Sequence, residues 1–411
     1  PVTYTGTGLT LSIKTGFAPD FVWIKQRTGS NTNFQLLDAV RGPGETIFCS
    51  ATDAEQENYQ YGYVSSFNDD GFTLTTGNSP SAVNESGEDY VAWCWKAGDT
   101  TVSNSEGSVN STVRQGNGFS IVTWTNPDGG VQTVGHGLDK APAWFFIKKL
   151  NGQSDWELYQ REMGQFAGMA LNEATGQQQS AGYWDNTPPT GKVFTVASGV
   201  QSEAGQYVAY CFTDVGSQAQ TGMYTGNETV QTIELGFAPA WVMIKALNSS
   251  EQWYVWDIAR QTATQYPYLR PNMPNPEQEI ASRNIILGDT GFTIQGTDGA
   301  INTAQTYLYF AFAGSTTGTE LTFATSKDLA AFENGDAVKQ NDGFSNLVTS
   351  TITDVDSVAL PSFVTSSGTS ITVPTNQVET NLKQMKKVFR GLEPVDDGTN
   401  GTGLNPTIAS M

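Results

Sequence analysis

The chain of 411 residues holds one histidine, His136 in the stretch VGHGLDK, so any Ser-His-Asp, Cys-His or multi-histidine metal chemistry would rest on it alone. Phe17 and Phe237 stand near the same register of two similar segments, just ahead of an Ala-Pro pair. A place that accepts Phe reads as structural. Paired carboxylates could hydrolyse a glycoside without histidine if two of them alternated along one strand face. The acidic clusters ATDAEQE at 51–57 and SGEDY at 86–90 instead read as solvated loops or strand ends. Asn68, Asp69 and Asp70 offer hard oxygen ligands of the kind calcium takes, but lack the alternating acids and distal Glu of an EF-hand and read as a hairpin turn. No metal or cofactor is therefore expected, and neither GxGxxG nor GxxxxGK[ST] occurs.

Other polar residues recur. Asp38 and Arg41 reappear as Asp257 and Arg260, while the second copy of that segment carries Gln160 and Met163. Acid and base three positions apart, just after a strand, make a local ion pair that fixes a turn; a ligand carboxylate or sugar held by the arginine is the alternative. Lys25, Lys148 and Lys245 close three related strands and are expected to be solvated at the head with a buried stem. Cys94 and Cys211 share one register with Ala311, which marks a small apolar core site, and three cysteines form neither a disulfide framework nor a zinc spacing.

These residues sit on a repeat. GFAPDFVWIK at 16–25 returns as KAPAWFFIKK at 140–149 and GFAPAWVMIK at 236–245, so Pro19, Pro142 and Pro239 are equivalent, as are Lys25, Lys148 and Lys245. Ahead of each lies an aromatic strand and turn holding Tyr4, Trp124 or Tyr224. After it come FQLLDAVRG, WELYQREMG or WYVWDIARQ, then GFTL, VFTV or GFTI, and finally YVAWCW, YVAYCF or YLYFAF. The Ala-Pro strand is apolar at successive positions, so both of its faces are expected to be covered, with the proline at its start where no ladder hydrogen bond is lost. Turn signals at short spacing predict an all-β chain of three tandem antiparallel β-sandwiches of the jelly-roll, concanavalin or laminin-G kind.

The expected boundaries are 1–98, 118–216 and 221–315 for the sandwiches, with 99–117 a polar linker. A small β-rich module follows at 316–375, then a helix at 376–391 and a flexible tail at 392–411. The helix is expected from a capping box of Asn376 and Glu379, basic residues in its last turn, and Gly391 and Pro394 beyond it. Its stripe of Val378, Leu382, Met385 and Phe389 suits either its own chain or an oligomer contact. The first strand is shorter than its counterparts, so the natural chain is expected to extend before Pro1, and also past Met411.

A formal charge of −20 disfavours nucleic acid and anionic lipid, and no apolar run is long enough to span a membrane as a helix. The ordered set YTGTG, GFAPDFVWIKQR, LLDAVRG, DDGFTL and YVAWCWKAG, with its later copies, resembles the jelly-roll repeat of tail-fibre and other virion proteins of bacteriophages, especially marine and cyanobacterial ones. The resemblance covers 1–315. It implies a non-enzymatic virion protein, a tail fibre or appendage subunit whose sandwiches extend outward and attach to a host-surface glycan or protein. It also implies other virion proteins as partners and a homo-oligomer, most simply a trimer. A capsid decoration or connector protein, and a glycan depolymerase, are the rival readings.

Overall fold

The computed structural model describes residues 1–200 and 204–314 in full, and the backbone of five further strands between 318 and 408. Two units result, Pro1–Gly314 and Ser315–Met411.

Within the first unit each repeat folds as two facing antiparallel sheets. In the first, the larger sheet runs Val2–Thr5, Asp89–Trp95, Phe21–Gln26, Gln35–Asp38, Glu45–Phe48, Gln56–Glu57, and the smaller runs Leu11–Lys14, Gly71–Leu74, Val64–Asn68. The third repeats this plan with Ala219–Thr225, Thr306–Ala313, Pro239–Ala246, Trp253–Asp257 over Gln231–Glu234, Gly291–Ile294, Ile285–Leu287. The second does so with an eight-stranded sheet over the pair Gln132–Gly135 and Val193–Val196.

Side-chain alternation along the Ala-Pro strand explains why both of its faces are apolar. Val22 and Ile24 point into the first sandwich against Phe72 and Leu74, as Phe145 and Ile147 or Val242 and Ile244 do in theirs. Aromatic stacks recur there too: Tyr4 on Tyr90 at 5.1 Å, Trp124 on Tyr207 at 5.4 Å, Tyr224 on Tyr307 at 5.0 Å. Cys211 and Ala311 are buried in these sandwich cores and Cys94 packs against the first.

The opposite faces meet each other. Phe21 and Trp23, Trp144 and Phe146, Trp241 and Met243 belong to one core built by all three repeats. At one end of it Trp95, Phe212 and Phe312 touch pairwise, with ring centroids 6.4, 5.6 and 5.3 Å apart. The three sandwiches therefore do not string out in a row. They close into a ring around a pseudo-threefold axis, and each buries on its neighbours an aromatic sheet face that alone would lie in water.

The segment 99–117 is not a linker. Thr101–Asn104 and Ser111–Gly116 form a hairpin that pairs with Phe119–Asn126 and widens the second repeat's sheet. Asp20 is the reason: its buried carboxylate accepts from the backbone N–H of Ala97 (2.8 Å) and Gly98 (3.0 Å) and pairs with Arg114 at 2.7 Å. The second repeat has Ala143 at this position, and its chain passes from Phe212 to the next repeat's strand Ala219–Thr225 without such a hairpin.

In the second unit, Gly318–Thr322 lies between Ser370–Pro374 and Thr407–Ile408, and Ala337–Asn341 pairs with Leu347–Thr351. The pairing of Thr407–Ile408 replaces, at those two residues, the expected flexible tail. The expected helix at 376–391 lies outside the described residues.

Candidate functional site

The recurring polar residues converge on the three seams of the ring. Each seam repeats one backbone hydrogen bond: Glu55 N–H to Leu150 O (2.8 Å), Gln177 N–H to Leu247 O (2.8 Å), Glu277 N–H to Arg27 O (2.9 Å). Beside each bond lies one of the three lysines, and all three are completely buried, contrary to the solvated heads expected. Lys25 Nζ donates to Thr32 O (2.7 Å) and across the seam to Pro274 O (2.9 Å). Lys148 reaches Ser154 O (2.6 Å) and Thr52 O (2.8 Å), and Lys245 reaches Ala246 O (3.1 Å) and Ala174 O (2.9 Å). Repeat one thus holds repeat three, three holds two, and two holds one. Burial lowers the pKa of Lys25 to about 7 and those of Lys148 and Lys245 to about 8. Aimed backbone carbonyls, rather than carboxylates, are the partners that recover part of that cost.

A second set lies nearer the aromatic end. Asp38 is buried; its Oδ1 accepts from Val40 and Arg41 N–H (2.9 Å each), and its Oδ2 from Arg41 Nε (2.6 Å). So far this is the local ion pair expected from the spacing. What the sequence did not disclose is that Tyr210, from the second repeat, donates its hydroxyl to Asp38 Oδ2 at 2.7 Å. At the equivalent place Asp257 Oδ2 accepts from Trp93 Nε1 of the first repeat at 2.9 Å and from Arg260 Nε at 2.6 Å. Burial opposes the charge on Arg41, but Asp38, Tyr210 and Glu55 outweigh it and raise its pKa. In the remaining seam the residue aligned with Tyr210 and Trp93 is Phe310, which has no donor, and there the acid is Gln160 and the base Met163. Gln160 Nε2 meets Thr221 Oγ1 at 3.3 Å. A buried carboxylate facing Phe310 would lose its third-party donor, which accounts for the departure of the second copy from the Asp/Arg pattern.

The rest of the candidate chemistry is dispersed. His136 is buried, with Nε2 at 3.0 Å from Thr190 O and Nδ1 accepting from Leu138 N–H, and burial lowers its pKa. Asp70 pairs with Lys14 on the surface at 3.0 Å. Among the described residues no three His, Cys, Asp or Glu side chains group to hold a metal ion. One residue passed over in the sequence stands out: Glu157, on the strand after Lys148, whose pKa burial and then Asp155 push up to about 8. It aligns with Gln35 and Tyr254, so its departure from a neutral register was the available signal. The seam between repeats one and three also opens into a polar cleft of about 160 Å³ lined by Arg27, Arg260, Gln265, Glu277 and Glu279. Its guanidinium groups are engaged: Glu277 accepts from Arg27 Nε and from Arg260 Nη1, each at 2.9 Å.

Residues 1–316 match the family model described as a domain of unknown function, DUF7483. The chain belongs to this family. No curated protein matches it. Among solved structures the chain is similar to BpGH86A, a β-porphyranase of glycoside hydrolase family 86 from the human gut bacterium Bacteroides plebeius, at 12% identity and a TM-score of 0.14. That likeness covers 52% of this chain and 38% of the enzyme, and is too slight to bear on fold or activity.

Proposed function

We propose that the chain is a non-enzymatic structural subunit of a bacteriophage particle, a tail fibre or appendage whose ring of sandwiches forms a stiff body for attachment to a host surface. The observation that carries this reading is the closure of the ring within one polypeptide. The buried charged groups of the repeat, from Lys25 to Arg260, are spent on joining one sandwich to the next. Groups engaged in this way hold a shape, which favours a structural role. The resemblance to fibre repeats supplies the particle, and the net charge of −20 suits an outer surface kept apart from nucleic acid.

The test is to raise antibodies against residues 1–314 and label intact particles by electron microscopy, with mass spectrometry of purified particles alongside. Label on tails or appendages supports the reading. Label on the head surface would move it to decoration, and absence of the chain from particles would overturn it. Light scattering of the purified chain then tests the expected homotrimer, with a monomer mass counting against it.

A further inference from the structure

Each repeat leaves one large apolar side chain in water at the same loop. Leu9 is 70% exposed, Val131 51% and Val230 64%, and each is the last or next-to-last residue before the first strand of its smaller sheet. A single exposed leucine or valine needs no explanation. Recurrence in three loops whose other residues differ, TGTG, NPDGG and GNET, does.

The three loops leave from one end of the ring. They follow strands whose last pairs are Thr5 with Asp89, Asn126 with Gly205, and Thr225 with Thr306, opposite the end marked by Trp95, Phe212 and Phe312. They are also held in shape. Asn84, buried, accepts from Thr7 N–H (2.8 Å) and donates to Leu9 O; Asn302, buried, accepts from Asn227 N–H (3.1 Å) and donates to Thr229 O (2.8 Å). Asn126, also buried, accepts from Gly129 N–H at 2.9 Å and Gln132 Nε2 at 2.9 Å. Side chains presented this way lose little entropy on contact.

Charge identifies the occupant. No lysine or arginine lies in 5–11, 125–132 or 225–231, nor in 75–89 and 295–306, the loops that clamp the first and third tips; the bases of this end stand on neighbouring segments, Arg27 paired with Glu277, Arg283 with Asp298, and Lys149 beside Gly205. Acids do lie in those loops: Glu85 beside the first tip, Asp128 in the second loop, Glu228 in the third. A second copy docked face to face would set acid against acid, and an anionic membrane would be repelled. We infer that this end of the ring docks a basic protein partner of threefold symmetry, into which Leu9, Val131 and Val230 insert as three apolar anchors inside an acidic field. Three equivalent weak contacts made at once give avidity that none has alone, and only a partner with matching symmetry can engage all three.

The test places a photo-crosslinking amino acid at position 9, 131 or 230 of the full chain, with position 258 at the other end as control, in the cells and particles that contain the protein. The inference expects all three tip positions to capture one and the same polypeptide, basic in sequence and trimeric by native mass, and position 258 not to capture it. With the crosslinker kept at position 9, the Val131→Ser, Val230→Ser double variant should lower that capture by roughly tenfold or more, with thermal stability unchanged to within about 2 °C since both side chains are exposed. Capture of a second copy of this chain, of lipid, of three different proteins, or of nothing overturns it. The virion reading is judged separately: the common partner found only outside particles keeps this inference and removes that reading, and particles that contain the chain without such a partner do the reverse.

Discussion

Replacing Tyr210 by Phe isolates one hydroxyl at one seam. Its Oη donates to Asp38 Oδ2 at 2.7 Å and accepts from Arg41 Nη2 at 3.1 Å, and both charged side chains are nearly or fully buried. After Tyr210→Phe, Oδ2 keeps its bond from Arg41 Nε and Nη2 keeps Leu36 O at 3.2 Å, so no charge is orphaned, but two charge-assisted hydrogen bonds are lost, one to Asp38 and one from Arg41. The expected cost is about 2 kcal/mol. The ring contains its own control, because the seam with Gln160, Met163 and Phe310 dispenses with this hydroxyl. In an Asp38→Gln, Arg41→Met background the further cost of Tyr210→Phe should therefore fall below about 0.5 kcal/mol, a coupling of at least ~1 kcal/mol. Urea unfolding followed by tryptophan fluorescence measures it, since all ten tryptophans precede residue 257 and report the ring alone. A single-variant cost under about 0.5 kcal/mol, or the same cost in both backgrounds, would refute the reasoning.

Four further outcomes follow. The buried lysines, with folded pKa values of about 7 to 8 against 10.5 unfolded, bind fewer protons in the folded state across that window. Stability should therefore rise with pH from about 8 to 9, and Lys25→Met should flatten the rise; a flat wild-type profile would count against the buried heads. Above about pH 9 it should turn over and fall, because burial raises the thiols of Cys49, Cys94 and Cys211 and the phenols of Tyr159 and Tyr254, so that only their unfolded forms ionise there. Glu157 at about 8 acts the other way between pH 4.5 and 8, losing stability as pH rises, and Glu157→Gln should remove that part of the titration in a melting series. Asp20→Ala should cost about 2–3 kcal/mol and open 99–117 to protease, whereas the wild-type hairpin resists cleavage. Finally, residues 99–216, the second repeat with its hairpin, expressed alone leave Trp144, Phe146 and Phe212 without their neighbours and should be insoluble or molten by near-ultraviolet circular dichroism.

The three sandwiches were legible because a repeat displays itself, and because an apolar run with both faces covered announces a central strand. The ring was not. Phe21 and Trp23 told of a covered face without telling what covers it, and a sandwich with its own partner sheet satisfies the same pattern. The burial of the lysines is hidden in the sequence for a related reason: Pro274 O, Thr52 O and Ala174 O are main-chain acceptors on another repeat, and a backbone carbonyl leaves no mark in sequence. The Asp38 and Arg41 pair was visible as a local feature. Its partner was visible only in retrospect, in the way Tyr210, Trp93 and Phe310 change together with Asp38, Asp257 and Gln160. The 99–117 hairpin was hidden because a polar strand on a sheet edge has the composition of a linker, and one acid, Asp20, decides between them.

Closure of the ring is the claim on which the rest depends, and small-angle X-ray scattering of residues 1–314 tests it most directly. A compact body of that length has a radius of gyration of about 20 Å. Three separate sandwiches in a row, each about 13 Å in radius of gyration and spaced by roughly 30 Å, would give about 28 Å. The account predicts the smaller value, unchanged by dilution. A value near the larger one would contradict it.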